Sequence, residues 1–555
     1  MVGSNYLKMS KFRAINIESR HIKKLPLFLL TVISLLMAIH LHYRSPDFPY
    51  STDSASYIEQ ARNLVNSGSL LSTPYGILPS NLDQIENKLF PIGFSVVLAA
   101  LSTFGFDAKD VAIEISHWSA ILLPWLIYFC FRAALGSRGA LVIACLICIS
   151  PSVLLNSPMG LTDMFALALA IGAISLTLNA RSTLVFIFSG ILAGMAYTVR
   201  NAHLALLISI GLYYFYLWFS DNTKDRPTLY KHLAGQFFGI SIIVFPILMR
   251  NIYLFGKPNP YQMAPSTIGF IENLRTYIDA LIKDLTACNG FANYIAWSIP
   301  GLVGLILVVS CLCWLFSKYT WYNLEAAGRK LIVLSTIYAV VGSCVVIVAR
   351  TRYQWGEVIS IRHTLQYTPF FLTIILAPVL GYSTGRFSKF LRVFKVALVV
   401  SLVLFHINYA LFSEAFQNRN NNNPTLLNAY EIGENHLCAK ENNVFLVSNW
   451  AYVFRIKCAA RVRQIEPINI AYNKDMQALI AGNEGYNNLI AAIDDVKHHA
   501  MGRPIHIGFF PGSFGLEARN FPLQSANQQK LLDSGWAIIR NDEHGLLIKY
   551  EKNML

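Results

Sequence analysis

Runs of about 20 apolar residues, the length that crosses a bilayer core, recur along this chain from Leu25 to Phe412. Nothing else in the sequence constrains the fold so tightly. Backbone polar groups inside a bilayer must be satisfied internally, so such runs predict a polytopic bundle of membrane helices. Composition agrees: 54% of residues are hydrophobic and 14% charged, with mean hydropathy +0.44, where a soluble globular chain is nearer a quarter charged. The first run lacks a small-residue cleavage site and many more follow it, so it reads as a span and not as a signal peptide.

Hydropathy places about eleven spans, at 25–43, 111–131, 139–157, 161–179, 183–199, 202–219, 232–250, 294–316, 331–349, 360–382 and 396–413. Segment 90–106 is apolar but short and opens Phe90-Pro91-Ile92-Gly93, and it reads as a helix lying in the interface. Charge supports that count. With a cytoplasmic N-terminus, 19 of the 45 basic residues and only four of the 31 acidic ones fall on inner segments, as the positive-inside rule requires. The remaining charges nearly cancel, so the +14 net charge is a topology signal and implies no nucleic-acid partner.

Three parts follow: a basic cytoplasmic tail at 1–24, a helical membrane body at 25–415, and a small α/β soluble domain at 425–555 on the outer side. The last carries candidate strands at Val444–Ser448 and Ile505–Phe510, and a hairpin pattern of Trp536–Arg540 with Leu546–Tyr550 around residues 541–545. Helical stretches are expected near 425–437 and 475–498. Of nine cysteines, seven lie in or beside membrane segments and read as packing residues. Cys438 and Cys458 lie in the outer domain, where a disulfide and two free thiols are both open readings. No pair has zinc-site or redox spacing.

Candidate chemistry gathers on the expected outer face. In the first outer loop, 44–89, apolar residues at Ala55, Ile58, Ala61, Leu64 and Val65 keep helical spacing up to Gly68. That helix would lie along the membrane and hold Asp53 at its start. A carboxylate there can accept a proton from an acceptor hydroxyl, or it can simply cap the helix; Asp47 is a second candidate for the same role. Arg200, Arg250, Arg350, Arg352 and Arg362 stand at outer span ends. An arginine there is costly unless paired or wet, and clustered guanidinium groups suit a phosphate; pairing with nearby acids, or snorkelling, is the plainer alternative. Asp163 opens a span, where it could orient a substrate, bind a cation or complement the helix dipole. Glu86 and Lys88 share that face. Walker loop, dinucleotide turn, HExxH and Gly-x-Ser-x-Gly are all absent. With no nucleotide-binding domain inside, an activated lipid phosphate on the outer face would supply the energy.

These ordered motifs resemble the GT-C class of lipid-dependent glycosyltransferases, nearest the aminoarabinose-transferase and protein-mannosyltransferase branch, over about 25–415. Asp53-Ser54-Ala55-Ser56-Tyr57 is similar to the family's Asp-x-x-x-Tyr pattern after its first span. Asn87-Lys88-Leu89-Phe90-Pro91-Ile92-Gly93 resembles the segment that opens its juxtamembrane helix, with Phe90 in place of the first proline. GILAGMAYTVRN at 190–201 resembles its glycine-rich span ending in arginine. PILMRNIYLFGKP at 246–258, which carries Arg250 and Asn251, is the most specific match, and Ile361-Arg362-His363 stands where many members have Arg-Tyr.

The resemblance implies an all-α membrane fold with juxtamembrane helices and an inverting transfer from a polyprenyl-phosphate sugar. The acceptor would be a lipid, glycan or protein. Asp53 would be the base, with Arg200, Arg250 and Arg362 on the phosphate. Tyr57, Glu86, Lys88, Asp163, Asn251 and His363 are further substrate-side candidates. A divalent cation is a possible cofactor, and a bacterial inner membrane, with the C-terminal domain periplasmic, is the expected location. A polysaccharide polymerase and a flippase of lipid-linked sugars are the alternatives. A flippase is disfavoured because its charges would line a path across the membrane, with repeats in both halves.

Overall fold

The computed structural model describes residues 25–73, 84–86, 90–220, 226–260, 266, 268–287, 326–353, 359–380, 400, 402–411, 423–438, 444–464, 493, 496–497, 500, 502–511 and 521–550. The tail 1–24, the expected span 294–316, almost all of the expected helix 475–498, and Lys88 lie outside these residues.

Helix α1 (Leu25–Arg44) leads to α2 (Thr52–Ser67), the short antiparallel strands β1 (Leu71–Ser72) and β2 (Ile85–Glu86), and α3 (Gly93–Ser102). Then come α4 (Ala108–Cys148), α5 (Pro151–Asn156), α6 (Thr162–Asn179), α7 (Thr183–Val199), a 3-10 turn at Asn201–His203, α8 (Leu204–Ser220) and α9 (Arg226–Phe255). The bundle continues with α10 (Phe270–Thr286), α11 (Ala326–Arg352), α12 (Ile361–Thr364), α13 (Thr368–Leu380) and α14 (Leu402–Leu411). Among the described residues, α1, α4, α6, Asn201–Ser220, α9 and α11 are long and apolar enough to cross a membrane.

Four local features depart from the hydropathy reading. The spans 111–131 and 139–157 belong to one α4, broken at Gly136 (φ 70°, ψ 168°), a conformation glycine takes without a Cβ clash. Its second arm stops at Cys148, and Pro151 restarts the chain as α5, where a proline at the first helical turn costs no hydrogen bond. The expected span 360–382 is likewise two helices, α12 and α13, separated by a turn at 365–367. Pro369 has no N–H with which to continue α12. Helix α10 has no counterpart among the expected spans: Glu272, Arg275, Asp279 and Lys283 line one face beside its apolar stripe and Asp284 adds a further charge, so it is amphipathic and not a span. Segment 90–106 does form a helix, α3, but ten residues rise only about 15 Å, half a bilayer core.

Close helix contact explains the glycine-rich run in α7. A Cβ at Gly190 would lie 2.0 Å from the carbonyl oxygen of Gln236, and one at Gly239 would lie 2.1 Å from that of Ile187. Helices α7 and α9 therefore touch backbone to backbone, which only small residues permit. Gly93 acts similarly, since a Cβ there would meet the Thr198 backbone at 2.5 Å. That contact seats the start of α3 on the end of α7, one residue pair before Arg200.

The C-terminal region contains α15 (Asn423–Leu437), β3 (Phe445–Ser448), α16 (Ala451–Lys457), β4 (Arg463–Gln464), β5 (Ile505–Phe509), α17 (Ser525–Asp533), β6 (Ala537–Asp542) and β7 (Gly545–Tyr550). The strands form one sheet in the order β4-β3-β5-β7-β6, parallel from β4 to β5 and antiparallel beyond. Its hairpin turn is tighter than the sequence pattern suggested, because Asp542 already pairs with Gly545. Phe445, Val447, Ile505, Ile507, Phe509 and Trp536 bury one core against it. A Cys438–Cys458 disulfide, Cα–Cα 5.6 Å, ties the residue after α15 to the residue after α16.

Candidate active site

The site begins with the capping of α2. Ser51 is the N-cap, its hydroxyl accepting from the Ser54 N–H while the Ser51 N–H donates to the Ser54 hydroxyl at 3.1 Å. Asp53 is therefore not the cap, and its carboxylate points to another element. Arg362 Nη2 of α12 donates to Asp53 Oδ2 at 2.9 Å, and Arg362 Nε donates to Asp163 Oδ2 at 3.2 Å. Asp163 Oδ1 lies 2.8 Å from Arg200 Nη1 as an ion pair without an aligned hydrogen bond. Four charges of alternating sign, from α2, α12, α6 and the residue ending α7, thus form a chain.

Burial shows why the chain holds together. The Asp163 side chain is fully buried, and those of Arg200, Arg362 and Asp53 are 17%, 19% and 28% exposed. An ionised carboxylate so placed is tolerable only when paired, and its position in the first turn of α6 adds the favourable end of the helix dipole. The Arg200 Nε is buried without a hydrogen-bond partner among the described residues.

Behind Asp163 stands a buried polar relay that sequence reasoning missed. Gln366 Nε2 donates to the Asp163 carbonyl at 2.9 Å, Gln366 Oε1 meets His203 Nε2 at 2.9 Å, and His203 Nδ1 meets the Tyr338 hydroxyl at 2.8 Å. The only signal for it was polar residues beside long apolar runs. Asp284 of α10 was missed for the same reason as its helix. It is fully buried and accepts from the Ser152 N–H at 2.8 Å and from the Thr364 and Thr368 hydroxyls. Tyr57, buried one turn beyond Asp53, packs edge-on against Phe90 and Phe94 with centroids 5.5 Å away. Burial, and after it the Asp53 charge, pushes its hydroxyl pKa up, so it stays protonated and shapes the site without serving as a base.

The other expected residues fall into separate groups. Arg250 pairs with Glu86 of β2 and donates to Asn251 Oδ1 at 3.3 Å. Asn251 Nδ2 in turn donates to the Pro258 carbonyl at 3.0 Å, closing the turn that begins at Gly256 (φ 69°). The Arg-Asn…Gly-Lys-Pro spacing is thus a helix stop that presents Arg250. Phe90, Pro91, Asn201, Arg250, Asn251 and Pro258 line one groove. Arg350 contacts His363, whose Nδ1 accepts from the Ser360 N–H at 3.0 Å. Arg352 is exposed, its guanidinium 5.4 Å from the neighbouring Tyr353 ring, and Asp47 is exposed ahead of Phe48.

Among the described residues no group of three or more His, Cys, Asp or Glu side chains converges as a metal site. Arg362 stands between Asp53 and Asp163, so a cation bridging these two would require the guanidinium to leave.

By sequence the chain matches no protein-family model and no curated protein. By structure it is similar to ArnT from Cupriavidus metallidurans bound to undecaprenyl phosphate, with TM-score 0.54, 10% identity, and coverage of 95% of this chain and 98% of that one. It is also similar to the archaeal oligosaccharyltransferase AglB from Archaeoglobus fulgidus, in complex with an inhibitory peptide and a dolichol-phosphate. There the TM-score is 0.52 at 11% identity, covering 87% of this chain and 69% of that one. A membrane bundle of this order, with juxtamembrane helices after the first span and a small C-terminal sheet domain, has the GT-C glycosyltransferase fold.

Proposed function

We propose that this chain is an integral membrane glycosyltransferase that moves a sugar from a polyprenyl-phosphate donor to an acceptor on the outer face of a bacterial inner membrane. The N-terminus would be cytoplasmic and the sheet domain periplasmic. In the step, an acceptor oxygen or nitrogen attacks the anomeric carbon and forms the new glycosidic bond. The bond from that carbon to the phosphate oxygen breaks, its electron pair leaving with polyprenyl phosphate. The acceptor proton passes to the Asp53 carboxylate, and attack opposite the leaving group inverts the anomeric configuration. Arg362 and Arg200, with Arg250 along the groove, offset the charge that grows on the phosphate. Asp163 orients two of these arginines.

The observation that carries this reading is the Asp53–Arg362–Asp163–Arg200 chain at one end of a GT-C bundle. It sets a carboxylate beside guanidinium groups, one with an Nε donor unused among the described residues. The neighbours in complex with undecaprenyl phosphate and dolichol-phosphate lend the donor class.

The test offers a panel of undecaprenyl-phosphate-linked radiolabelled sugars to the purified protein in nanodiscs, with total envelope lipid and glycan as acceptor source. Label should leave the polyprenyl fraction with the wild type and stay there with Asp53→Asn, which still binds undecaprenyl phosphate. Near-normal turnover by Asp53→Asn sinks the reading.

A further inference from the structure

Helix α2 has a second working face. Glu59 and Arg62 lie roughly 240° and 180° around the helix from Asp53 at 3.6 residues per turn, so they point away from the carboxylate chain. Glu59 is largely enclosed, its side chain 13% exposed, and is satisfied on both oxygens. Its Oε1 accepts from the Thr73 N–H at 3.0 Å, the Thr73 hydroxyl at 2.7 Å and Gln84 Nε2 at 3.0 Å. Its Oε2 takes both Nε, at 2.9 Å, and Nη2 of Arg455.

Arg455 belongs to α16 of the sheet domain, 396 residues away along the chain, and its side chain is 3% exposed. The grip is reciprocal, because Arg62 Nη1 donates to the Ile456 carbonyl at 3.2 Å, at the end of α16, while its Nη2 reaches Asp107 at 3.0 Å. Phe48, just ahead of α2, packs its ring 5.9 Å from that of Tyr452. The disulfide closes on the residue after α16, so the helix is stapled at the end that grips α2.

A largely buried Arg–Glu pair, with two guanidinium N–H groups converging on one carboxylate oxygen, is a poor way to gain stability and a good way to impose one geometry. Two long apolar faces can slide or rotate by an ångström at little cost, whereas this pair and its Thr73 and Gln84 partners fit one rotation of α2 about its axis. That rotation also decides where Asp53 points. Gln60, on the Asp53 side, completes the clamp by accepting from the Ser95 hydroxyl at 2.8 Å.

We infer that Arg455 of the sheet domain is a positioning residue for transfer: through Glu59 it fixes the rotation of α2 and so the aim of Asp53. The C-terminal domain is then a structural part of the catalytic centre. This rests on the reading of Asp53 as the base, and the experiment separates the two.

The donor panel and envelope acceptor described above are used with the full chain. Arg455→Ala should lower kcat roughly 100-fold, the scale of an ångström's misplacement, with KM for the donor within about threefold because the arginines on the phosphate are untouched. Guanidinium ion, which can refill the vacated slot, should restore part of that kcat. In the Asp53→Asn background the same substitution should change residual turnover by less than about twofold, as expected when one residue acts through the other. If Arg455→Ala does not purify as a single species, Arg455→Lys keeps the charge but loses the paired N–H donors on Glu59 Oε2, and it should cost about tenfold in kcat. Unchanged kcat in a folded Arg455→Ala or Arg455→Lys protein overturns the inference if Asp53→Asn has lost turnover by about 100-fold or more. Near-normal turnover by Asp53→Asn overturns the base assignment instead.

Discussion

Two arginine-bearing regions sit at the same end of the bundle and differ in how their charges are held. Arg362 and Arg200 are threaded with Asp53 and a fully buried Asp163 through four elements. Arg250 pairs with Glu86 and donates to the adjacent Asn251 at the edge of a groove, and the Arg250 and Glu86 side chains are 20% and 30% exposed. The first arrangement is pre-organised, because a buried carboxylate between two guanidinium groups cannot move without leaving charge uncompensated. The second is exchangeable, because a half-wet pair is worth little and an arriving phosphate can take the place of Glu86. On the proposed reading both regions face the phosphate, the first held in one geometry and the second able to exchange its partner for ligand.

The largest effect that would break this comparison belongs to Asp163. Asp163→Ala should abolish transfer and also lower stability by about 3–5 kcal/mol, since it removes the centre of two ion pairs. Thermal unfolding in detergent reads the second effect, and an unchanged melting temperature would place the two regions on an equal footing. Next comes Asp53→Asn, expected to reduce turnover by about 10²–10⁴-fold, the range for loss of a general base. Its stability should stay near wild type, because the amide oxygen still accepts from Arg362. Arg250→Ala should raise donor KM by roughly tenfold while stability changes by less than about 1 kcal/mol. Titration with undecaprenyl phosphate checks it, and unweakened binding would remove Arg250 from the ligand side.

The smallest expected effect sharpens the comparison through the domain contact. Burial opposes ionisation of Glu59, yet Arg455, Thr73 and Gln84 outweigh it and hold its carboxyl pKa below the ordinary 4.5. A carboxylate depressed in the folded state stabilises above its unfolded pKa, and that contribution is lost as pH falls through the lower folded value. Protection factors in α2 and α16, exchange rates corrected for the intrinsic pH dependence of amide exchange, should therefore be flat from neutral pH to about 4.5 and fall together below it, with Glu59→Gln removing the pH dependence. Protection lost in α16 alone would mean the two helices are not coupled.

Much of this was legible in the chain because it is local. The spans follow from apolar runs, and α2 follows from spacing closed by Gly68 in the left-handed conformation. The arginines stood out because positive charge is disfavoured on the side where the charge count places them. Asp53, Asp163, Arg200 and Arg362 were each singled out for such local reasons. Their pairing was not readable: Arg362 lies 309 residues from Asp53 and 199 from Asp163, and no residue type announces its partner at that distance. Helix α10 and its Asp284 were missed because charge within an amphipathic helix lowers hydropathy below that of a span. The break between α12 and α13 was hidden because a turn at 365–367 costs hydropathy nothing.

Apolar length, helix caps and the basic bias of one side are properties of neighbouring residues in water and lipid, so the sequence alone determined a membrane bundle with its chemistry at one end. Whether Asp53 would cap its own helix or face an arginine, which carboxylate would serve two guanidinium groups, and that the last domain would grip α2 through Arg455 were settled by tertiary structure. Each depends on bringing opposite charges from distant segments within about 3 Å in a dry interior, where an unpaired charge is too costly to keep and only the folded chain supplies the partner.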